Sequence, residues 1–299
     1  MKGNIIGTVT GLTGHLGDLD FNDIDGRVYG SLEYKAQNAF YIAIFDVDRI
    51  TRQGMDAEKD GIMTTVYLPT VLEDYLANVE LDGKQVEHRL GCSGIDGVSF
   101  GPKFGKSGGK KYLTTSYGIY SDKKRTDNDY QVLLQYDIKD WRKYEKSLSQ
   151  DNMHKSGPAK PAGRYFVYTG NRNWGVQNLE YDATRNFWFL ATYEGKKESF
   201  ADFRLFAVDG NIAPKRETLK GVEYYKKGDV LTISGRGMVD PNHHSIHGWN
   251  FSYSSTGIHA LGDNYFYISH SKKNKPYQNC TATLYKFVAR ESYPFVEVK

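Results

Sequence analysis

The reading of the fold turns on a tetrapeptide that occurs four times: DLDF at residues 18–21, GVSF at 97–100, NLEY at 178–181 and NFSY at 250–253. Each runs small or polar, apolar, then Asp, Ser or Glu, then an aromatic. The aromatics Phe21, Phe100, Tyr181 and Tyr253 stand 79, 81 and 72 residues apart, so the period spans the chain. A fixed long period marks a repeat architecture, in which no unit can bury its apolar face alone.

Each tetrapeptide is followed by a second segment of the same character: RVYGSLEY, KKYLTTSY, NFWFLATY and NYFYISHS. A third follows, FYIAIFDVD, YQVLLQYDI, FRLFAVDG and ATLYKFVA, and then a fourth, VEHRLG, RYFVYTG and DVLTISG, with NIIGTVTG at the N-terminus as the remaining equivalent. Period-2 alternation of Tyr, Phe, Val and Ile between Gly, Asn and Asp is a strand signal. Four such segments per unit predict an all-β chain, a single β-propeller domain over residues 1–299 with four or five blades, its ring closed by the N-terminal strand. A β-sandwich would explain the strands but not their even spacing, and YPFVEVK at the C-terminus has no place in the scheme. Pro69 followed by apolar residues at helical spacing predicts a short helix over 69–79, and DWRKYEKSLSQ reads as another.

Composition narrows the function classes. Hydrophobic residues make up 39% and aromatics 14% of 299 residues, enough for a sizeable core. The 39 Lys and Arg against 36 Asp and Glu nearly cancel, so no global field calls for nucleic acid. The longest uncharged apolar run, AFYIAIF at 39–45, is too short to span a bilayer, so no membrane partner is expected, and a monomer is. Two cysteines make neither a disulfide framework nor a metal motif, and the chain fits a secreted protein trimmed of its signal or a cytoplasmic one equally.

In a propeller the loops entering the first strand of each blade gather at one mouth of the channel. Here they are GHLG (14–17), GCSGID (91–96), GNRNWG (170–175) and DPNHHSIHG (240–248). This places His15, Asp96, Arg172, Trp174, His243, His244 and His247 around one opening, with Trp249 just beyond. The loops between second and third strands carry lysines in every unit, among them Lys35, Lys124, Lys197 and Lys273, which would ring that mouth and favour an anionic ligand. His243 and His247 have the spacing of a helical metal pair, but Pro241 and Gly248 make the segment a loop. The predicted channel strands carry Asp18, Asp20, Asp96 and Glu180. Such carboxylates could serve as acid and base in glycoside cleavage. Asp18, Asp96, Asn178 and Asn250 could instead hold a channel cation such as calcium. The row Asp20, Ser99, Glu180 and Ser252 shares one repeat position and reads equally as a set of bridges between blades. No nucleophile elbow, phosphate-binding loop or dinucleotide fingerprint occurs, and GKSGGKK at 105–111 is a hairpin loop.

The order Asp18, Asp96, Glu180 on successive predicted inner strands resembles the five-bladed glycoside hydrolases, a likeness that implies base, helper and acid roles. The stretches GDLDFNDIDGRVYG and NLEYDATRNFWFLATYE are similar to the calcium-dependent apyrases, five-bladed propellers with calcium in the channel. Gln177 and Trp249 stand where that family tends to have acidic or hydroxyl ligands, and the sialidase Asp-box is missing. The expectation is a propeller that binds, and hydrolyses through Asp18, Asp96, Glu180 and His247, an anionic glycan or phosphorylated small molecule, with Trp174 or Trp249 stacked on it. The alternatives are a non-catalytic protein- or glycan-recognition propeller and a purely structural interaction module.

Overall fold

The computed structural model describes residues 5–274 and 277–299, and the side chains of these except 273, 274, 277 and 278. The chain is predominantly β, built on four antiparallel sheets. After β1 (Val9–Thr10), the first sheet is the meander β2 (His15–Asn22), β3 (Arg27–Tyr34), β4 (Ala39–Phe45) and β6 (Met63–Tyr67), with the short β5 (Met55–Asp56) looping out before its last strand. Helix α1 (Pro69–Leu76) and the hairpin β7 (Asn78–Leu81) and β8 (Lys84–Glu87) lead to the second sheet: β9 (Cys92–Pro102), β10 (Lys111–Ile119), β11 (Tyr130–Tyr136) and β12 (Gly163–Tyr168). The third is β13 (Val176–Asp182), β14 (Phe187–Thr192) and β15 (Leu205–Asp209). Strands β16 (Lys215–Glu217) and β17 (Gly228–Val230) extend the second sheet, and β18 (Met238–Val239) pairs with β19 (His247–Gly248). The fourth sheet is β20 (Ile258–Gly262), β21 (Tyr265–Asn274), β22 (Tyr277–Phe287) and β23 (Phe295–Glu297).

The sheets stack face to face, which is why their strands read as nearly unbroken apolar runs. In β4 every residue is buried. Phe40, Ile42 and Ile44 enter the core shared with the second sheet, while Tyr41, Ala43 and Phe45 enter one covered by the N-terminal segment and Leu148. Strand β14 divides its side chains in the same way: Trp188 and Leu190 face the second sheet, Phe189 and Ala191 the fourth.

Three sequence expectations are corrected. The first strand of the fourth sheet is IHALG, not NFSY, so the residue matching Phe21, Phe100 and Tyr181 is Ala260, and the last interval is 79 residues rather than 72. The N-terminal strand does not close a ring: β1 pairs in parallel with β5, and the fourth sheet takes its last strand from YPFVEVK. The fourth strand of the first sheet is MTTVY, not VEHRLG. Segment DVLTISG serves two sheets, starting in parallel with β12 and then bonding to the third through Asp209 N to Thr232 O and Ser234 N to Ala207 O. The helix expected over 69–79 forms over Pro69–Leu76, and of DWRKYEKSLSQ only Trp141–Lys143 forms a 3-10 turn. Among the described residues no helix is long and apolar enough to cross a membrane.

Helix α1 is tied to the second sheet by Asp74, which is fully buried. Its carboxylate accepts from Tyr117 Oη at 2.7 Å and Arg89 Nη1 at 2.9 Å, and lies 3.0 Å from Arg164 Nη2. Truncating one member of such a network leaves the others charged and desolvated. Asp74→Ala is expected to lower the free energy of unfolding by about 3 kcal/mol in urea denaturation, a loss that Asp74→Asn restores only in part.

Candidate functional site

The first strands β2, β9, β13 and β20 lie side by side in that order. Strands at the edges of their own sheets have N–H groups with no ladder partner, and here those edges are buried. Side chains of the preceding strand satisfy them. Asp20 Oδ2 accepts from Phe100 N (2.7 Å), Ser99 Oγ from Tyr181 N (3.2 Å) and Glu180 Oε1 from Ala260 N (2.6 Å). Asp18 Oδ2 accepts from both Val98 N and Leu179 N at 2.9 Å, and Asn178 Oδ1 from Ile258 N at 3.0 Å.

These bonds decide several predicted site residues. Asp18 is enclosed by donors, since Asn178 Nδ2 binds its other oxygen, and burial holds its proton affinity well above the usual carboxylate range. Of the four residues considered for a channel cation, Asp18, Asp96 and Asn178 line one cleft, with Asp18 meeting donors on both oxygens and Asn178 using both amide atoms, while Asn250 lies exposed after β19. Glu180 sits at the β13 to β20 contact, away from Asp96's cavity.

What converges at the mouth is a cavity of about 560 Å³ whose lining includes His15, Glu33, Lys35, Asp96, Trp174 and Gln177. Glu33, at the end of β3, is buried by the bend of β9: Ile95 N donates to its Oε1 at 2.6 Å. Gly94 makes that approach possible, with φ +125 and no side chain; a Cβ there would stand 1.8 Å from Glu33 Oε1. The other oxygen, Oε2, lies 3.2 Å from Lys35 Nζ and 3.6 Å from His15 Nδ1. That contact with Glu33 raises the proton affinity of His15. Asp96 sits over Gly17, where a Cβ would fall 2.2 Å from its Oδ1. Burial first, with the Glu33 charge adding to it, pushes the Asp96 carboxyl up to about 7 against the opposing pull of His15.

Trp174 forms the rim. Its backbone takes a left-handed φ of +64, rare for a bulky residue, and its carbonyl accepts from Gln177 Nε2 at 2.9 Å. The indole remains 45% exposed, with Tyr120 edge-on at 6.0 Å and Lys35 Nζ 5.9 Å from the ring centre. The cavity opens into a cleft of about 940 Å³ between the first and fourth sheets, and His15, Asp96 and Gln177 line both.

Other expected ligand contacts are structural. Arg172 is 1% exposed and spends its guanidinium on the carbonyls of Thr169, Ala201 and Phe203, because a buried cation must be fully solvated by the fold. Trp249 is core, its Nε1 donating to Arg290 O at 2.8 Å. The histidine loop is fastened by Asp240, whose oxygens accept from Asn242, His243 and Ala201 N–H groups. His243 stacks on Phe200 at 4.2 Å, His244 is exposed, and His247 pairs with Val239 in β19; none lines the mouth.

The basic rim is neutralised in part. Lys197 is half-buried on Asp129, Lys35 sits on Glu33 and Lys123 near Glu198, while Lys124 is exposed on its loop. The side chain of Lys273 lies outside the described residues. Glu33 had a sequence signal that went unread: it is an acid inside the buried strand of RVYGSLEY, where only a specific partner makes its burial tolerable.

The raised Asp96 carboxyl links folding to pH. The folded group keeps its proton to about pH 7, whereas the unfolded one releases it near 4. Wild-type stability is therefore expected to fall relative to Asp96→Asn as pH rises from about 4 to about 7, by up to about 4 kcal/mol. His15, also raised, pulls in the same direction at the upper end of that window, weakly because its ring is exposed. Urea denaturation of both proteins at pH 4 and pH 8 measures the difference. Compared with protein-family models, with curated proteins and with solved structures, the chain matches none.

Proposed function

We propose that the four sheets are the blades of a β-propeller and that its mouth binds a glycan, with Asp96 as the acid-base group of a hydrolytic reaction. The observation that carries this reading is an indole held out at the rim by an unfavourable backbone conformation, beside a buried carboxyl poised near neutrality. Strain at a bulky residue is tolerated where the surroundings enforce it, and it recurs at ligand clamps. An exposed indole face suits the apolar face of a sugar ring, while Glu33, Gln177 and Asp96 supply acceptors and donors for hydroxyls.

The charge balance favours a neutral or singly charged sugar over a phosphorylated molecule. Both cations at the mouth, His15 and Lys35, already face Glu33, and a dianion would meet two carboxyl groups. A carboxyl titrating near 7 can give a proton to a leaving oxygen and take one from water at neutral pH.

Thermal unfolding and turnover assays against a panel of oligosaccharides, neutral and acidic, test this. Trp174→Ala is expected to weaken binding about tenfold or more, on the scale of one lost stacking contact of about 1.5 kcal/mol. Asp96→Asn should bind as the wild type does and lose at least about 100-fold in kcat. Binding without turnover in the wild type would leave a recognition propeller, and no response to any glycan would discard the reading.

A further inference from the structure

The corrected repeat brings a fourth residue into the row that links the inner strands. Asp20, Ser99, Glu180 and His259 stand 79, 81 and 79 residues apart and occupy one position in β2, β9, β13 and β20. The first three each accept the N–H of the residue after their neighbour on the next strand. His259 is the last of the row. Its side chain is 59% exposed in the cleft between the first and fourth sheets, and its Nδ1 lies 3.5 Å from Glu180 Oε1.

One ligand atom each from Asp20, Glu180 and His259 lies within 4.8 Å of the others. Neighbouring ligands on bonds of about 2.2 Å lie about 3 to 3.6 Å apart, a range the Nδ1–Oε1 pair already meets at 3.5 Å and small side-chain rotations bring the third atom into. Among the described residues neither carboxylate makes an ion pair with Lys or Arg. Glu180 is only 6% exposed, and its Oε2 accepts no hydrogen bond from a described residue. Asp20 is half-buried; its Oδ2 accepts from Phe100 N and Ser99 Oγ, while Oδ1 accepts only from Phe21 N and keeps a lone pair. Two adjacent carboxylates without a cation are costly to desolvate, and an imidazole completes a donor set of two oxygens and one nitrogen. The open cleft leaves room on the remaining side for water or a further ligand.

We propose that Asp20, Glu180 and His259 form an open site for a borderline divalent cation of the zinc and manganese class. Three protein ligands with a free side are the arrangement of exchangeable rather than sealed sites. The imidazole separates it from an all-oxygen calcium site, which would use carboxylates and carbonyls only. The site stands apart from the reading of the mouth, and neither depends on the other.

Calorimetric titration of the metal-free full chain with zinc chloride, and cobalt absorption as a ligand-sensitive readout, test it. The expected result is one equivalent bound, at least about tenfold weaker in His259→Ala and in Glu180→Gln, with the cobalt spectrum changed in both. Glu180→Gln keeps an acceptor for Ala260 N, and His259 is exposed, so both variants should fold; thermal unfolding in chelator confirms that. His247→Ala and His15→Ala should bind as the wild type does. Absence of stoichiometric binding overturns the proposal, as does binding unaffected by His259→Ala and Glu180→Gln or lost instead with His247 or His15.

Discussion

The structure depends on how the four inner strands satisfy their free edges. A strand at the edge of a sheet carries N–H groups that water would ordinarily serve, and packing β2, β9, β13 and β20 together removes much of that water. Asp18, Asp20, Ser99, Asn178 and Glu180 supply the missing acceptors, each reaching from one strand to the backbone of another. The apolar cores between the sheets provide the driving force, but they are not directional. These hydrogen bonds set the register in which one sheet meets the next.

The same constraint sorts the acidic residues by role. Those whose oxygens meet backbone donors brace the frame, and Asp18, with donors on both oxygens, is the extreme case. Asp96, at the start of the same bundle of strands, meets one backbone group, that of Asp18, and faces the mouth, where burial and the nearby Glu33 raise its proton affinity. Glu33 in turn holds Lys35 and His15, so the mouth combines charged groups with little net charge. The path from mouth to cleft is continuous because the first and fourth sheets do not pair, and exposed Leu19, Phe21 and Tyr267 face that space.

Much of the fold was legible. Period-2 alternation located nearly all second and third strands, since sheets buried on both faces need apolar residues throughout. The fourth repeat was misaligned because NFSY matches the tetrapeptide pattern better than GIHA at 257–260, although GIHA keeps the spacing of the first three units. That slip hid His259. Of the site, His15, Asp96 and Trp174 were legible from their place at strand starts. Arg172, Trp249 and Lys197 were misread because a cation or indole in a loop has the same sequence signature whether it faces solvent or is buried on carbonyls or acids. The histidine loop failed for a related reason: three histidines in five positions say nothing about the Asp240 turn and the Phe200 face that use them.

By itself the sequence determined the all-β class, the repeat of about 80 residues and the short helix after Pro69, because periodicity and turn chemistry are local properties written along the chain. Only the tertiary structure decided which carboxylates brace the frame and which face a ligand, which lysines are already paired, and where the N-terminal strand goes. Those outcomes depend on partners distant in sequence, such as Val98 and Leu179 for Asp18. A side chain's role there follows from the donors and water around it, and these exist only once the sheets have packed.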